Sequence, residues 1–264
     1  MIKNHKILIL RRIVQLAIII LFIGSSVYGW KILDGNYSTA EVLGFFNLSD
    51  PYSVLQILAS GFIPASSVLL GGLIVTLFYF VLRGRMFCSW VCPLNFITDS
   101  AEWIREKLHI QPLIKNKDVD RNMRYYVLLM GLILSAIFGF AAFDVINPIS
   151  MLHRAIIFGS LSGLFVVLFI FFFDLFILKH GWCGHICPVG AFYSFVGKWG
   201  ILKVFHKHDN CTDCMKCKLV CPEVQVLDII GLKTDNIKMG ACTNCGACID
   251  VCNDDALEFK ITIK

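Results

Sequence analysis

Cys211-Thr212-Asp213-Cys214-Met215-Lys216-Cys217-Lys218-Leu219-Val220-Cys221-Pro222 and Cys242-Thr243-Asn244-Cys245-Gly246-Ala247-Cys248-Ile249-Asp250-Val251-Cys252-Asn253 are the stretches whose reading decides this chain. Both spell C-x-x-C-x-x-C-x-x-x-C, and each cysteine of the second run lies 31 residues after its counterpart in the first. Three thiolates so spaced cap three irons of one [4Fe–4S] cube, while the fourth, on the helix that follows, reaches the other cube. The spacing therefore predicts one cluster on Cys211, Cys214, Cys217 and Cys252 and a second on Cys242, Cys245, Cys248 and Cys221. The constant offset marks an internal repeat. Zinc is the competing reading, but a zinc ribbon uses two C-x-x-C pairs and leaves the third and fourth cysteines of each run unexplained. Dense, regular thiols belong to a reducing compartment, which argues against disulfides.

Composition points to a bilayer. The chain is 57% hydrophobic and only 16% charged, with mean hydropathy +0.71, which is too apolar for a soluble protein. Four apolar stretches, Ile13–Trp30, Phe62–Leu82, Tyr125–Phe143 and Ala155–Leu178, are long enough to cross a hydrocarbon core of about 30 Å at about 1.5 Å per residue. The first has no small-residue cleavage site and reads as an anchor. Arg11 and Arg12 ahead of it read as a topology determinant, with a twin-arginine export signal as the alternative.

Orientation follows from the basic residues. Lys3, Lys6, Arg11 and Arg12 precede the first stretch, and Arg83, Arg85, Arg105, Lys107, Lys115, Lys117, Arg121 and Arg124 lie between the second and third. Both regions are expected in the cytoplasm. The segment holding Lys31, Asp34, Glu41 and Asp50, and the one holding Arg154, are expected outside. An even number of spans returns the C-terminal region to the cytoplasm, where thiolates stay reduced. The net charge of +5 fits this topology and calls for no nucleic-acid partner.

The remaining cysteines form two C-x-x-x-C-P elements, Cys88–Cys92–Pro93 and Cys183–Cys187–Pro188, 95 residues apart. Upstream, Asp50-Pro51-Tyr52-Ser53-Val54-Leu55 is echoed by Asn147-Pro148-Ile149-Ser150-Met151-Leu152 at an offset of 97. The membrane region thus reads as two copies of one unit, packed about an axis along the membrane normal with equivalent points at one depth. Cysteines at i and i+4 share a helix face. Two facing pairs supply Cys88, Cys92, Cys183 and Cys187 for a third cluster or another thiophilic metal. Structural thiols at a Pro-terminated turn are the alternative.

These readings combine into an α-helical membrane protein of four transmembrane helices in two repeated halves, with a C-terminal α+β domain of the two-cluster bacterial ferredoxin kind. Residues 1–200 are expected to form the membrane domain, and residues 201–264 the ferredoxin domain.

That combination resembles the NapH family, membrane ferredoxins of periplasmic nitrate reduction with close relatives in nitrous oxide reduction. The resemblance covers nearly the whole chain. It implies a quinol dehydrogenase component of the bacterial inner membrane, multi-pass, with both termini and the ferredoxin domain in the cytoplasm. It also implies a NapG-like iron–sulfur partner and a respiratory reductase downstream. The eight tail cysteines match the family's cluster ligands, and Cys88, Cys92, Cys183 and Cys187 match its doublets. One departure is Cys252-Asn253, where the first run has Cys221-Pro222; it puts the local turn and the polarity around that sulfur in question.

The expected function is an iron–sulfur electron-transfer subunit carrying electrons from quinol toward nitrate or nitrous oxide reduction. The alternative is a metal-reducing maturation factor on the same plan, with copper on the doublets. Quinol oxidation also requires proton acceptors, and the ionisable groups near the apolar stretches are Asp174, Asp144, His153, His180 and His185. Asp174 lies about one turn from Lys179, so a lysine-paired interfacial carboxylate is its other reading. No Cys-x-x-Cys-His, G-x-G-x-x-G or P-loop occurs, which argues against c-type haem and nucleotide chemistry.

Overall fold

The computed structural model describes residues 5–30, 32–114 and 119–262. Lys3, Lys31, Lys115 and Lys117, used above to orient the chain, lie outside the described residues. The chain divides into two compact units, one of residues up to 16, 78–91 and 193–264, the other of residues 17–77 and 92–192. The ferredoxin-like tail therefore shares its unit with two segments from earlier in the chain.

In the second unit, most of α1 (Lys6–Tyr28) is followed by a three-stranded antiparallel sheet of β1 (Leu33–Gly35), β2 (Thr39–Val42) and β3 (Phe46–Ser49), in the order β1-β2-β3. Asp34 pairs with Glu41, and Ala40 with Leu48. The two Pro-containing echoes open helices in the same manner. Asp50 (φ −63°, ψ 121°) caps α2 (Pro51–Ala59), and Asn147 (φ −64°, ψ 115°) caps α8 (Pro148–Phe158). Each side chain accepts a backbone N–H of the first turn, with proline at the first helical position, where no N–H is needed.

The other helices of this unit are α3 (Ser66–Leu82), which continues beyond it, α5 (Leu94–Lys107), α6 (Met123–Phe138), α7 (Ala142–Ile146) and α9 (Leu161–Phe172). α2 packs on α6 and α7: the Tyr52 hydroxyl donates to Leu128 O of α6 at 3.2 Å, and Gln56 Oε1 accepts the Phe143 N–H of α7 at 2.9 Å. Gly131 makes that approach possible, because a Cβ there would collide with the Tyr52 hydroxyl.

Of the apolar stretches, only the first forms one long helix. Among the described residues, Lys6–Tyr28 is the helix long and apolar enough to cross a membrane, and the other apolar helices have 10–17 residues. Glycines cause two of the breaks. Gly139 (φ 72°) ends α6 and Gly159 (φ 63°) ends α8, both in the left-handed cap conformation that glycine adopts without strain. The stretch Ala155–Leu178 is consequently the end of α8, all of α9 and a π-helical turn over Phe173–Ile177.

The unit containing the tail is built on a second antiparallel sheet, with β4 (Leu202–His206) between β5 (Asp235–Asn236) and β6 (Leu257–Ile261). Val204 pairs with Phe259. Its core joins Val204, Val226, Leu227, Ile230, Ile237 and Leu257 to Cys217, Cys221, Cys242 and Cys248. Two short helices, α11 (Lys216–Leu219) and α12 (Ala247–Asp250), carry the third cysteine of each run.

The loop after α3, with α4 (Met86–Trp90), lies along residues 239–244. Arg83 Nη2 donates to Met239 O at 2.7 Å, Arg85 Nη1 to Ala241 O at 2.9 Å, Ser89 Oγ to Thr243 O at 2.7 Å and Trp90 Nε1 to Asn244 O at 3.0 Å. Gly84 (φ 38°) is required at the turn, since a Cβ would collide with Tyr193 O. The start of α1 is held by Asp250, whose carboxylate accepts the Ile7 and Leu8 N–H groups at 3.2 and 3.0 Å, a negative charge at the positive end of a helix. α10 (Pro188–Val196) ends in this unit, where Tyr193 stacks on Phe87 at 5.0 Å between ring centroids.

Candidate functional site

The two cysteine runs fold alike. Asp213 and Met215 in the first, and Asn244 and Gly246 in the second, have positive φ (53°, 56°, 49° and 74°), and successive reversals of this kind wrap the backbone around a concavity. One cavity is lined by Cys211, Cys214, Cys217 and Cys252, with Ile230, Val251 and Leu257 around them. The other is lined by Cys221, Cys242, Cys245 and Cys248, with Val204, Val226 and Leu227. Each thus takes three cysteines from one run and one from the other.

The donor set fits a cluster better than a lone ion. Four thiols surround each space of about 330 Å³, parts of it open to solvent. Among the described residues, no three His, Cys, Asp or Glu side chains close on a single ion. Burial pushes the Cys248 thiol well above its ordinary range, and Cys245, Cys242 and Cys221 push it further; burial and Cys245 raise Cys221 likewise. Four such thiols ionise together only with cations among them, which the irons of a cluster supply when bound.

Cys242 has a protein cation beside it as well. Burial raises its thiol, and Arg83, then Arg85, pull it back. Both arginines are buried, at 0% and 1% exposure. Arg85 pairs with Glu223 at 2.6 Å, whereas Nε and Nη1 of Arg83 are buried without a hydrogen-bond partner. Burial lowers the Arg83 pKa and Cys242 raises it. Sequence reasoning counted these two arginines only as topology signals. Nothing in their spacing announces that they fold against a segment 156 residues away.

The four doublet cysteines occupy matching local positions. Cys88 is on α4 and Cys183 on a π-helical turn, Trp182–Ile186, while Cys92 and Cys187 each immediately precede a proline. Cys92 and Cys187 are buried; Cys88 and Cys183 are half-buried. Cys92, Cys183 and Cys187 belong to the second unit and Cys88 to the first. Burial raises the Tyr37 phenol and Cys92 adds to the rise; burial, then Asp50 and Cys187, raise Tyr52.

The ionisable residues near the apolar stretches separate into two groups. Lys179 pairs with Glu102 instead of Asp174, as does His180. This corrects the lysine-paired reading of Asp174: the π-helical turn aims its carboxylate at the Trp182 N–H, 3.1 Å away, while Arg105 donates to its backbone oxygen at 2.9 Å. His185 is buried in the second π-helical turn.

Asp144 and His153 belong to a second group, in which Asp50, Ser38, Ser53, Ser150 and His153 are buried and Asp144 and Tyr37 half-buried. Asp144 Oδ1 accepts from Ser38 at 2.8 Å and Ser53 at 3.3 Å. The His153 ring stands against Phe22 and Tyr37 at 5.1 and 5.7 Å. Burial pushes Asp50 up to about 7, the Ser53 N–H opposing and Asp144 reinforcing it. The sequence reading missed Asp50, although its Asp-Pro echo of Asn147-Pro148 was the available signal.

The buried charge beside Cys242 has a measurable consequence. Arg83→Gln is expected to lower the reduction potential of the cluster held by Cys242 by roughly 50–100 mV, the effect of a unit charge several ångströms away at an effective dielectric of about 20. The other cluster should shift less, since Arg83 acts on Cys242 and not on Cys211 or Cys217. EPR-monitored redox titration of the full chain measures both.

Comparison with known proteins agrees with these centres. A family described as a 4Fe-4S binding domain matches residues 65–111 and again 160–204. A 4Fe-4S dicluster domain matches residues 203–253. The ferredoxin-type protein NapH of Escherichia coli is 40% identical over 99% of this chain and 91% of its own length, and NapH of Haemophilus influenzae is 39% identical over 97% and 90%. The methylamine utilization ferredoxin-type protein MauN of Methylobacillus flagellatus is 42% identical over 97% and 90%. No solved structure matches the chain. An iron–sulfur protein with an electron-transfer role is what the thiol-lined cavities and both matched domains describe, and the chain belongs to the ferredoxin-type family that includes NapH.

Proposed function

We propose that this chain is a membrane-anchored electron-transfer subunit that takes electrons from quinol and passes them toward a respiratory nitrate or nitrous oxide reductase, through a NapG-like iron–sulfur protein. The observation that carries the reading is the pair of cavities, each lined by four cysteines, in the same compact unit as the loop that presents Cys88. Two one-electron centres in series suit a donor that yields two electrons.

Four transmembrane helices and cytoplasmic termini belong to this proposal. The outward faces of α3, α6 and α9 support it: Leu77, Ile137 and Phe165 are 56%, 70% and 70% exposed, which is unfavourable in water and favourable in lipid. The duplicated plan is favoured by the matching caps of α2 and α8 and by one domain description matching both halves. On this plan Cys88, Cys92, Cys183 and Cys187 hold a third centre between quinol and the tail.

The chain in lipid nanodiscs, given duroquinol, tests the principal reading. Reduction of the tail clusters is expected in the wild type. Cys88→Ser/Cys92→Ser should lose one cluster's worth of iron and the response to duroquinol, while the tail clusters remain reducible by dithionite. Tail reduction by duroquinol at the wild-type rate in that variant, with its metal content unchanged, would contradict a relay through the doublets.

We further propose that the tail holds two [4Fe–4S] clusters with crossed ligation, Cys221 serving Cys242, Cys245 and Cys248, and Cys252 serving Cys211, Cys214 and Cys217. Cys221→Ala should then damage the cluster of Cys242, Cys245 and Cys248 and spare the other. EPR of the reduced variant checks this, and loss of the cluster at Cys211, Cys214 and Cys217 instead would overturn it.

A further inference from the structure

We propose that Asp50 and Asp144, joined through the hydroxyls of Ser38, Ser53 and Ser150, form a proton-sharing carboxyl pair that hydrogen-bonds the hydroxyl of a quinol and accepts one of its protons, with His153 accepting the other. The inference rests on the quinol-fed reading above and supplies its site.

Hydrogen counting makes the first argument. Ser53 Oγ lies 3.3 Å from Asp50 Oδ2 and 3.3 Å from Asp144 Oδ1. Ser38 Oγ lies 2.8 Å from Asp144 Oδ1 and 3.0 Å from Ser150 Oγ. A hydroxyl donates once, so Ser53 serves only one of the two carboxylates at a time. Asp50 has further donors in the backbone N–H groups of Ser53 and Tyr52. Buried Asp50 and half-buried Asp144 thus stand one hydroxyl apart, a geometry through which a proton can pass between two carboxyl groups.

The second argument is independent of the acids. His153 is only 5% exposed and its Nε2 is buried without a hydrogen-bond partner. It stands one helical turn from Ser150 on α8, against the rings of Phe22 and Tyr37. The Tyr37 hydroxyl, next in sequence to Ser38, is also buried without a partner, as is Asp50 Oδ1. A planar ring with hydroxyls at opposite ends offers what these groups lack: donors for Asp50 Oδ1 and His153 Nε2, and apolar faces for the aromatic wall. The charged neighbour acting on Asp50 is Asp144, and Arg154 is the one acting on His153.

The chemistry balances. Quinol becomes quinone by losing two electrons and two protons. One O–H proton passes to the ionised member of the carboxyl pair and the other to His153 Nε2. The electrons leave singly to oxidised [4Fe–4S] centres of this chain, each of which is reduced by one. Cys92 and Cys187, which influence Tyr37 and Tyr52, stand in the same unit as the carboxyl pair.

Full-length chain in nanodiscs with duroquinol as the probe tests the site. Asp50→Asn keeps the helix cap, as Asn147 does on α8. Asp50→Asn and Asp144→Asn should each slow cluster reduction by duroquinol about a hundredfold at pH 7, and His153→Gln should slow it as well. Iron content and reduction by dithionite should be unchanged. In the wild type, infrared difference spectra should show a deuterium-sensitive protonated-carboxyl band that changes on adding duroquinol and is absent in Asp50→Asn. Duroquinol reduction at the wild-type rate in both Asp variants, or no carboxyl change in a wild type that duroquinol reduces, overturns the site while leaving the quinol reading intact. A wild type reducible by dithionite but not by duroquinol overturns the quinol reading itself, and the site with it.

Discussion

Four thiolates gathered in a low-dielectric core repel one another and lose their hydration, so the tail of this chain depends on the positive charge that offsets both. Burial acts first on Cys248 and Cys221, and neighbouring thiols act next. Iron is the principal remedy, and the fold is consistent with that role: the two cysteine loops carry left-handed residues at matching positions, and apolar residues such as Val226 and Leu227 line the second cavity. Metal binding and folding are coupled in such a domain.

Arg83 and Arg85 extend that remedy from outside the ferredoxin-like tail. They come from the loop after α3 and lie buried against the segment that leads into Cys242. Buried guanidinium groups are costly unless paired, and the carbonyls of Met239 and Ala241 together with Glu223 do this in part. The unpartnered nitrogens of Arg83 leave a positive charge beside a cluster ligand. With a cluster bound at Cys242, that charge would favour its reduced form. Ser89 and Trp90, the two residues after Cys88, bond to the backbone oxygens of Thr243 and Asn244 and hold this loop against the same segment.

The features written in local spacing were the ones most legible in the sequence. The cysteine runs form loops with positive φ at matching positions and the Asp-Pro and Asn-Pro segments form matching helix caps, because each depends on residues within a few positions. What the sequence withheld depends on long-range contact. Glu102, not Asp174, receives Lys179 and His180, a pairing across 77 and 78 positions that no local pattern encodes. The apolar stretch Ala155–Leu178 concealed a helix end at Gly159, since hydropathy averages over a single glycine. Asp50 read as an acid of the outward segment and as the start of the Asp-Pro echo, and only the folded arrangement beside Ser53 and Asp144 shows it as a buried acid.

The central claim is that electrons reach the tail through the cluster of Cys242, Cys245, Cys248 and Cys221, held against the loop of Arg83 to Trp90. Rapid-freeze EPR of the full chain in nanodiscs, mixed with a substoichiometric one-electron equivalent of reductant and with each signal assigned from single-cysteine variants, measures it directly. The account predicts that this cluster's signal appears first and persists at equilibrium, with the cluster of Cys211, Cys214, Cys217 and Cys252 reduced only at lower potential. The reverse order, with the Cys211 cluster reduced first and remaining so, would contradict it.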